Sequence, residues 1–243
     1  MSVHGPEAAV QRQHGGTPLA PEPHRAETHT ESTDPFLLSE KESRALLREV
    51  PWRRLAVIGD SIAEGTGDPW PGYESVPWAD RVARRLQAAH PAAAYLNTGR
   101  VGAVIAEVRA EQLDDLTAFG PDLVHICCGG NDLFKRGADP DRVEADLDDL
   151  CARVAATGAR LAMFTLADAF TGRMTPLQPR FAEFAEAVRR IAQRHDAVLT
   201  ELWNHPARLR ESWLSADLIH LSMAGHAVVA AEVIKSLARG GPA

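Results

Sequence analysis

The sequence predicts an α/β fold in which a parallel sheet of five strands carries helices on both of its faces. Apolar strand-like runs alternate along the chain with segments of helical periodicity, which is the pattern of a doubly wound parallel sheet. The strand-like runs are apolar at successive positions, as expected of strands that are covered on both faces. The chain has 243 residues, 45% of them hydrophobic, which is enough for one domain of this kind with a sizeable core.

Each predicted element follows from its own periodicity and from the residues at its ends. Ser39 offers a cap for a short first helix that runs through Glu49. The predicted strands are Leu55–Ile58, Ala94–Asn97, Leu123–Cys128, Arg160–Thr165 and Ala197–Leu202. The predicted helices that lie between and after them are Val76–Ala89, Val104–Leu116, Arg142–Thr157, Arg180–Arg194 and Ser222–Ala238.

Residues 1–34 differ in composition from the rest of the chain. They are rich in Pro, Gly, Thr, Glu and His and contain almost no aromatic residue. Such a segment cannot bury enough apolar surface to order itself, so we expect residues 1–34 to form a disordered and dispensable tail. The folded domain is then expected to span residues 35–243.

Charge and composition argue against several classes of protein. The formal net charge is -7 and the pI is about 5.8, whereas a nucleic-acid-binding protein usually carries a basic stripe. No apolar run approaches the roughly 20 residues of a membrane span, and the N-terminus lacks the apolar core of a signal peptide. Cys127, Cys128 and Cys151 lack the spacing of a metal site and suggest reduced thiols and a cytoplasmic location. The oligomeric state is left open.

Polar residues and glycines follow the predicted strands, at the sheet edge where doubly wound proteins collect their chemistry. Ser61 follows the first strand, the block "NTGRVGA" with Asn97, Gly99 and Gly102 follows the second, and Asn131 follows the third. Asp217 and His220 come after the fifth strand. In the flavodoxin-like strand order the first and third strands flank the switch point, so we expect Ser61 to lie beside Asn131.

These residue types suit acyl transfer. A serine hydroxyl such as that of Ser61 is a poor nucleophile unless a neighbouring base, here His220, takes its proton. Asp217 lies three residues before His220, close enough to hold the second ring nitrogen and fix the tautomer. The negative oxygen of the tetrahedral intermediate needs donors placed in advance. The candidates are the N–H groups of Ser61 and Gly102 and the side-chain amide of Asn131. This chemistry needs neither a metal ion nor a cofactor.

Four sequence blocks resemble the motifs of the SGNH/GDSL hydrolases, and they occur in the same order as in that family. "VIGDSIAEGTGDP" is similar to the first motif, with Ile62 where the name-giving sequence has leucine, and "NTGRVGA" to the second. "GGND" is similar to the third motif, and "DLIHLS" to the Asp-x-x-His motif. The resemblance covers roughly three quarters of the chain, from Leu55 to about Ala238, and is to a compact, actinobacterial-type member.

The resemblance implies a three-layer α/β/α sandwich with five parallel strands. It also implies roles for individual residues: Ser61 as nucleophile and oxyanion donor, Gly102 and Asn131 as the other donors, and Asp217 and His220 as the rest of the triad. Gly99 competes with Gly102 for the second motif, and the spacing from Asn97 favours Gly102.

Structural roles are the alternative at each position. Ser61 could be a helix N-cap, Asn131 could cap a helix or turn, and Asp217 and His220 could be a surface pair. Asp60 is expected to make a structural hydrogen bond to the loop backbone. Two further expectations concern groups around the site. His226 is expected to pack or to cap the last helix, and a pocket for an acyl group or ring could be lined by Trp70, Tyr73, Trp78 or Phe170.

The sequence therefore predicts a metal-independent serine esterase that acts on a small-molecule ester through a covalent acyl-enzyme. An acyltransferase of the same fold would differ only in the second acceptor, and a non-catalytic flavodoxin-like binding module is a further alternative. No large lid domain is evident, which favours a small acyl ester or an O-acetyl group over a long-chain lipid.

Overall fold

The computed structural model describes residues 29–241. Its strands are β1 (Arg54–Gly59), β2 (Ala94–Asn97), β3 (Leu123–Cys127), β4 (Arg160–Phe164) and β5 (Val198–Thr200). They form one sheet in the order β2-β1-β3-β4-β5, and every pairing is parallel. The prediction of a five-stranded, flavodoxin-like parallel sheet is confirmed, and the sheet reverses its strand order at β1 and β3.

Helices connect the strands and cover both faces of the sheet. The α-helices are α1 (Glu40–Leu47), α2 (Ser61–Glu64), α3 (Trp78–Ala89), α4 (Ile105–Glu111), α5 (Leu113–Phe119), α6 (Gly130–Phe134), α7 (Pro140–Ala155), α8 (Gln178–Arg194) and α9 (Met223–Gly240). Short 3₁₀ turns occur at Gly172–Leu177, Pro206–Leu209 and Glu211–Trp213. No helix within residues 29–241 is long and apolar enough to cross a membrane.

Two hydrophobic cores lie on opposite faces of the sheet, because successive side chains of a strand point to opposite sides. Leu55 and Val57 of β1 pack in one core with α1, α3 and α9. Ala56 and Ile58 of the same strand pack in the other core with α4, α7 and α8. This arrangement is the three-layer α/β/α sandwich that the sequence predicted.

The helix predicted over Val104–Leu116 is two helices in the structure, because it breaks at Gln112. The side chain of Gln112 is buried and bonds to the last residue of β1: its Oε1 accepts from Gly59 N (2.9 Å) and its Nε2 donates to Gly59 O (2.8 Å). The pairing of β1 with β2 ends at Val57, so β2 provides no partners for the backbone of Gly59. The Gln112 side chain bonds to the Gly59 N–H and carbonyl there and holds the end of β1 in place.

The segment just before the boundary predicted at residue 35 packs onto the domain. The Asp34 carboxylate is fully buried and accepts from Tyr73 Oη (2.7 Å) and Arg210 Nη1 (2.8 Å). Glu31 forms an ion pair with Arg81, with 2.5 Å between Oε1 and Nη1. A buried carboxylate with such partners belongs to the fold. Residues 1–28 of the predicted tail lie outside the described residues, so their disorder stays a prediction.

Candidate active site

Ser61 lies two residues after the end of β1. Asp60 caps the short helix α2, since its Oδ1 accepts from Ile62 N at 2.9 Å, and Ser61 is the first residue of that helix. The backbone N–H of Asp60 donates to the carbonyl of Cys127 at the end of β3 (2.9 Å). Strand β1, its neighbour β3 and the cap therefore fix the backbone that carries Ser61, which is buried apart from 6% of its surface.

Asp217 and His220 lie on one turn of the loop that precedes α9. Oδ1 of Asp217 accepts from the N–H groups of Ile219 (2.9 Å) and His220 (3.0 Å), and Oδ2 lies 2.5 Å from Nδ1 of the His220 ring. Leu218, between them, has a positive φ of 62°, which is unusual for a branched side chain. Leu214 and Leu221 form an antiparallel bridge that closes the base of this loop.

The loop brings the imidazole of His220 to the hydroxyl of Ser61. Nε2 of His220 lies 2.8 Å from Oγ of Ser61, so hydroxyl, imidazole and carboxylate form a continuous hydrogen-bonded chain. Partial burial acts to raise the pKa of Asp217, but the hydrogen bonds from His220 and Ile219 outweigh it and leave this pKa below its usual value. An ionised Asp217 accepts a hydrogen bond from the protonated Nδ1 of His220. The other ring nitrogen, Nε2, then carries the lone pair, which faces Ser61.

Asn131 is hydrogen-bonded to the residue that follows Gly102. Asn131 is the second residue of α6, and its Nδ2 donates to the carbonyl of Ala103 at 3.0 Å. Gly102 has a positive φ of 77°, and a Cβ added there would meet nothing within 4 Å. Gly99 differs from it: its N–H already donates to Oδ1 of Asn97 (2.9 Å), and a Cβ would lie 2.3 Å from the backbone nitrogen of Glu64. Gly99 is therefore a close-packing position against α2.

The Asp60 carboxyl makes the structural hydrogen bond that was expected. It is 5% exposed, and burial raises its pKa to about 7, against the smaller opposing effects of the Ile62 N–H bond and the positive potential of His220. The carboxyl also faces the thiols of Cys127 and Cys128, whose pKa values burial raises well above normal. A carboxyl with a pKa of about 7 is only partly ionised at neutral pH, so it adds less negative charge beside the nucleophile candidate Ser61 than an ordinary aspartate would.

His226 is buried and packs, which is one of the two roles expected, but the helix start that it caps is that of α3 and not that of α9. Its Nδ1 accepts from the N–H of Trp78 at 3.2 Å, and its Nε2 donates to the carbonyl of Thr66 at 3.2 Å. Burial lowers the pKa of His226 to about 4, so the ring is neutral at neutral pH. It ties α9 to the start of α3 and to the loop after α2, and it does not contact Ser61.

An apolar cavity opens beside Ser61. Of the four aromatic residues predicted as its lining, Phe170 is found there. Tyr73 bonds instead to Asp34, and the indole N–H of Trp78 donates to the carbonyl of Ile62 at 2.8 Å. Sequence reasoning missed the other lining side chains, such as those of Phe134, Met163, Phe181, Phe184, Trp213 and Ile219.

Within residues 29–241, no group of three His, Cys, Asp or Glu side chains is arranged to hold a metal ion. Cys127, Cys128 and Cys151 are buried free thiols. Burial raises the pKa of Cys151 to about 12. All three are therefore protonated side chains at neutral pH, and Cys127 and Cys128 contribute to the wall of the cavity.

The motifs and this geometry agree with a comparison against protein families. The model of the GDSL-like lipase/acylhydrolase family matches residues 57–228, which include the segments that carry Ser61, Asn131 and His220. The chain belongs to this family. The comparison with curated proteins found no match.

Solved structures with the same fold include esterases. LAE5, an alpha/beta hydrolase enzyme from the metagenome of Lake Arreo in Spain, is 24% identical, with a TM-score of 0.65 over 79% of this chain and 97% of that one. Axe2, an acetylxylan esterase from Geobacillus stearothermophilus, is 23% identical, with a TM-score of 0.64 over 76% of this chain and 94% of that one. The family and the fold together support a hydrolytic enzyme for this GDSL-family chain.

Proposed function

We propose that this GDSL-family protein is a serine esterase that cleaves a small-molecule acyl ester through a covalent acyl-enzyme. The observation that carries the proposal is the hydrogen-bonded chain from Ser61 through His220 to Asp217, with 2.8 Å between Oγ and Nε2. A serine that only caps a helix has no need of such a partner, and here the cap is Asp60.

In the first step, Oγ of Ser61 bonds to the ester carbonyl carbon while Nε2 of His220 takes the hydroxyl proton. Asp217 stabilises the imidazolium and holds its orientation. When the tetrahedral intermediate collapses, the bond to the alcohol oxygen breaks and His220 returns the proton to that oxygen. Water then repeats the sequence on the acyl-enzyme, which releases the carboxylic acid and restores Ser61.

Three donors are proposed to bind the oxyanion of each intermediate. Within residues 29–241 the N–H groups of Ser61 and Gly102 make no hydrogen bond, and Nδ2 of Asn131 has a second hydrogen besides the one it gives to Ala103. Gly99 is less suitable, because its N–H is already bonded to Asn97. Donors that are held before the reaction stabilise the developing charge without reorganising.

The structural neighbour Axe2 supports the same assignment of roles. Three of its solved variants are described as catalytic mutants, and they change a serine, an aspartate and a histidine. The aspartate precedes the histidine by three positions there, which is the spacing between Asp217 and His220 here.

Labelling with a fluorophosphonate tests the proposal directly. We expect one adduct per chain, located at Ser61, and hydrolysis of p-nitrophenyl acetate that falls about 10⁴-fold or more in Ser61→Ala. Asp217→Asn should keep the fold but allow the wrong tautomer of His220, so labelling should slow by orders of magnitude. Ser75→Ala, at an exposed serine, is the matched control and should behave as wild type. Labelling at another serine, or full activity in folded Ser61→Ala, would contradict the mechanism.

A further inference from the structure

The cavity beside Ser61 lies beyond the carboxyl ends of β3 and β4. Met163 and Phe164 are neighbours in β4 and belong to opposite hydrophobic cores, yet both line the cavity. Successive strand residues point to opposite faces, so a space that touches both must lie at the end of the strand. Ser61 and Asn131 also line it, which places its mouth at the reacting atoms.

The wall of the cavity is chemically uniform. Among the described side chains that line it, only those of Asp60, Ser61 and Asn131 are hydrophilic, and all three belong to the site at its mouth. The deeper wall is formed by aromatic, aliphatic, thioether and thiol groups. A sugar placed there would leave its hydroxyls without partners, which is unfavourable in a buried site. A hydrocarbon chain needs no partner and gains from leaving water.

The size of the cavity exceeds what an acetyl group needs. Its volume is about 110 Å³. A buried cavity of about 150 Å³ accommodates the six carbons of benzene, so this space takes on the order of four atoms of methylene size. The methyl of an acetyl group would fill one such position and leave the rest of the wall without contacts.

The rim of the cavity is apolar as well. Within residues 29–241, Phe134 and Ile219 are among the few large hydrophobic side chains that are exposed, at 39% and 41%, and both also line the cavity. Single exposed hydrophobic residues are common on proteins, but two at one opening are consistent with a binding surface.

We propose that the substrates are esters of short fatty acids, with about four to six acyl carbons, and that the acyl chain fills this cavity while Ser61 attacks its carbonyl. This inference rests on the esterase function proposed above. Of the two substrate types expected from the sequence, a small acyl ester and an O-acetyl group, it favours the first. The alcohol leaves through the exposed side of the site.

A series of p-nitrophenyl esters from acetate to dodecanoate tests the chain length, because the leaving group stays constant. Each additional methylene that the acyl chain buries in the cavity strengthens binding about fourfold. We expect kcat/KM to rise roughly 10- to 100-fold between acetate and the butanoate–hexanoate range, and to fall again by dodecanoate. A rate that is highest with acetate, or that does not change with chain length, would overturn the inference.

Filling the cavity tests where the chain binds. Ala167 is half-buried in the cavity wall, so Ala167→Phe places a ring in the space. We expect the ratio of kcat/KM for hexanoate to that for acetate to fall at least tenfold. Ala152→Phe, the same change on an exposed position of α7, should leave the ratio as in wild type. An unchanged ratio in folded Ala167→Phe would overturn the placement.

Labelling of Ser61 in the same samples separates this inference from the proposed function. If the fluorophosphonate labels Ser61 and acetate is the best substrate, the esterase function stands and the inference on chain length fails. If Ser61 is not labelled and no ester is hydrolysed, both fail. The wild-type series decides the chain length even where Ala167→Phe does not fold.

Discussion

Asp60 shows how one buried side chain links the site to the stability of the fold. Its carboxyl caps α2 directly before Ser61, and burial raises its pKa to about 7. In the unfolded chain an aspartate releases its proton near pH 4. Between about pH 4 and pH 7 the folded state therefore binds more protons than the unfolded state. The contribution of Asp60 to the free energy of unfolding thus falls as the pH rises through this window.

Replacing Asp60 by asparagine removes this pH dependence while keeping the cap, because the amide oxygen can still accept from the N–H of Ile62. At pH 8 we expect Asp60→Asn to be more stable than wild type by a few kcal/mol, since a pKa shift of this size corresponds to an effect on the order of 4 kcal/mol. At pH 4 the two proteins should have nearly equal free energies of unfolding. Urea denaturation at both pH values measures the difference, and a difference that does not vary with pH would contradict this account.

At the scale of secondary structure, the end of β1 depends on a side chain from a distant helix. Gln112 supplies the only hydrogen bond that the structure of residues 29–241 gives the Gly59 N–H, and Ser61 follows two residues later. The Gly59 carbonyl accepts from Gln112 and also from the N–H of Arg100 (3.2 Å). Gln112→Leu would therefore leave the buried N–H of Gly59 without a partner. The expected loss is roughly 1–3 kcal/mol in the free energy of unfolding. We also expect kcat to fall more than KM rises, because the nucleophile is less well positioned.

Gln193→Leu is the matched control for Gln112→Leu, because Gln193 lies on an exposed position of α8. It should change the free energy of unfolding by no more than about 0.5 kcal/mol. Urea denaturation and ester hydrolysis, measured on both variants, test the role of Gln112. Equal stability and equal kcat in the two variants would show that Gln112 does not hold the end of β1.

The same residues show how far the sequence predicts this structure. The strands were predictable because each is continuously apolar, and Ser61, Asn131 and His220 because each follows a strand in a recognisable block. The break at Gln112 was not predictable, since its cause is a contact with Gly59 across the fold. Likewise α2 and α6 are too short for periodicity to reveal them, and the cavity wall combines side chains from both cores.

At the scale of the whole molecule, the described N-terminal segment holds part of the domain together. The Asp34 carboxylate binds Arg210 and Tyr73, and the ring of Phe36 lies 4.5 Å from the Arg210 guanidinium. Arg210 precedes the 3₁₀ turn at Glu211–Trp213, which leads into the loop of Asp217. Burial acts to raise the pKa of Asp34, but its hydrogen bonds outweigh this effect and keep its pKa below the usual value.

Two truncated variants test this role. Removal of residues 1–28 should leave stability and ester hydrolysis unchanged, as expected of a dispensable tail. Removal of residues 1–34 also deletes Glu31 and Asp34, and breaking a buried ion pair of this kind typically costs about 3–5 kcal/mol. We therefore expect a lower melting temperature and a lower kcat for the longer truncation only. Identical melting temperatures for the two variants would show that the Asp34 contacts contribute nothing.

Leu218 has a consequence for any attempt to redesign this protein. Its backbone holds a left-handed conformation between Asp217 and His220, and its side chain faces the cavity. Glycine would relieve the backbone but enlarge the space, and a bulkier residue would do the opposite without easing the strain. Under the proposed function, a change at Leu218 alters the space for the acyl group and the loop that positions His220 at the same time. A redesign of the acyl space alone therefore has to start from the β4 side of the cavity.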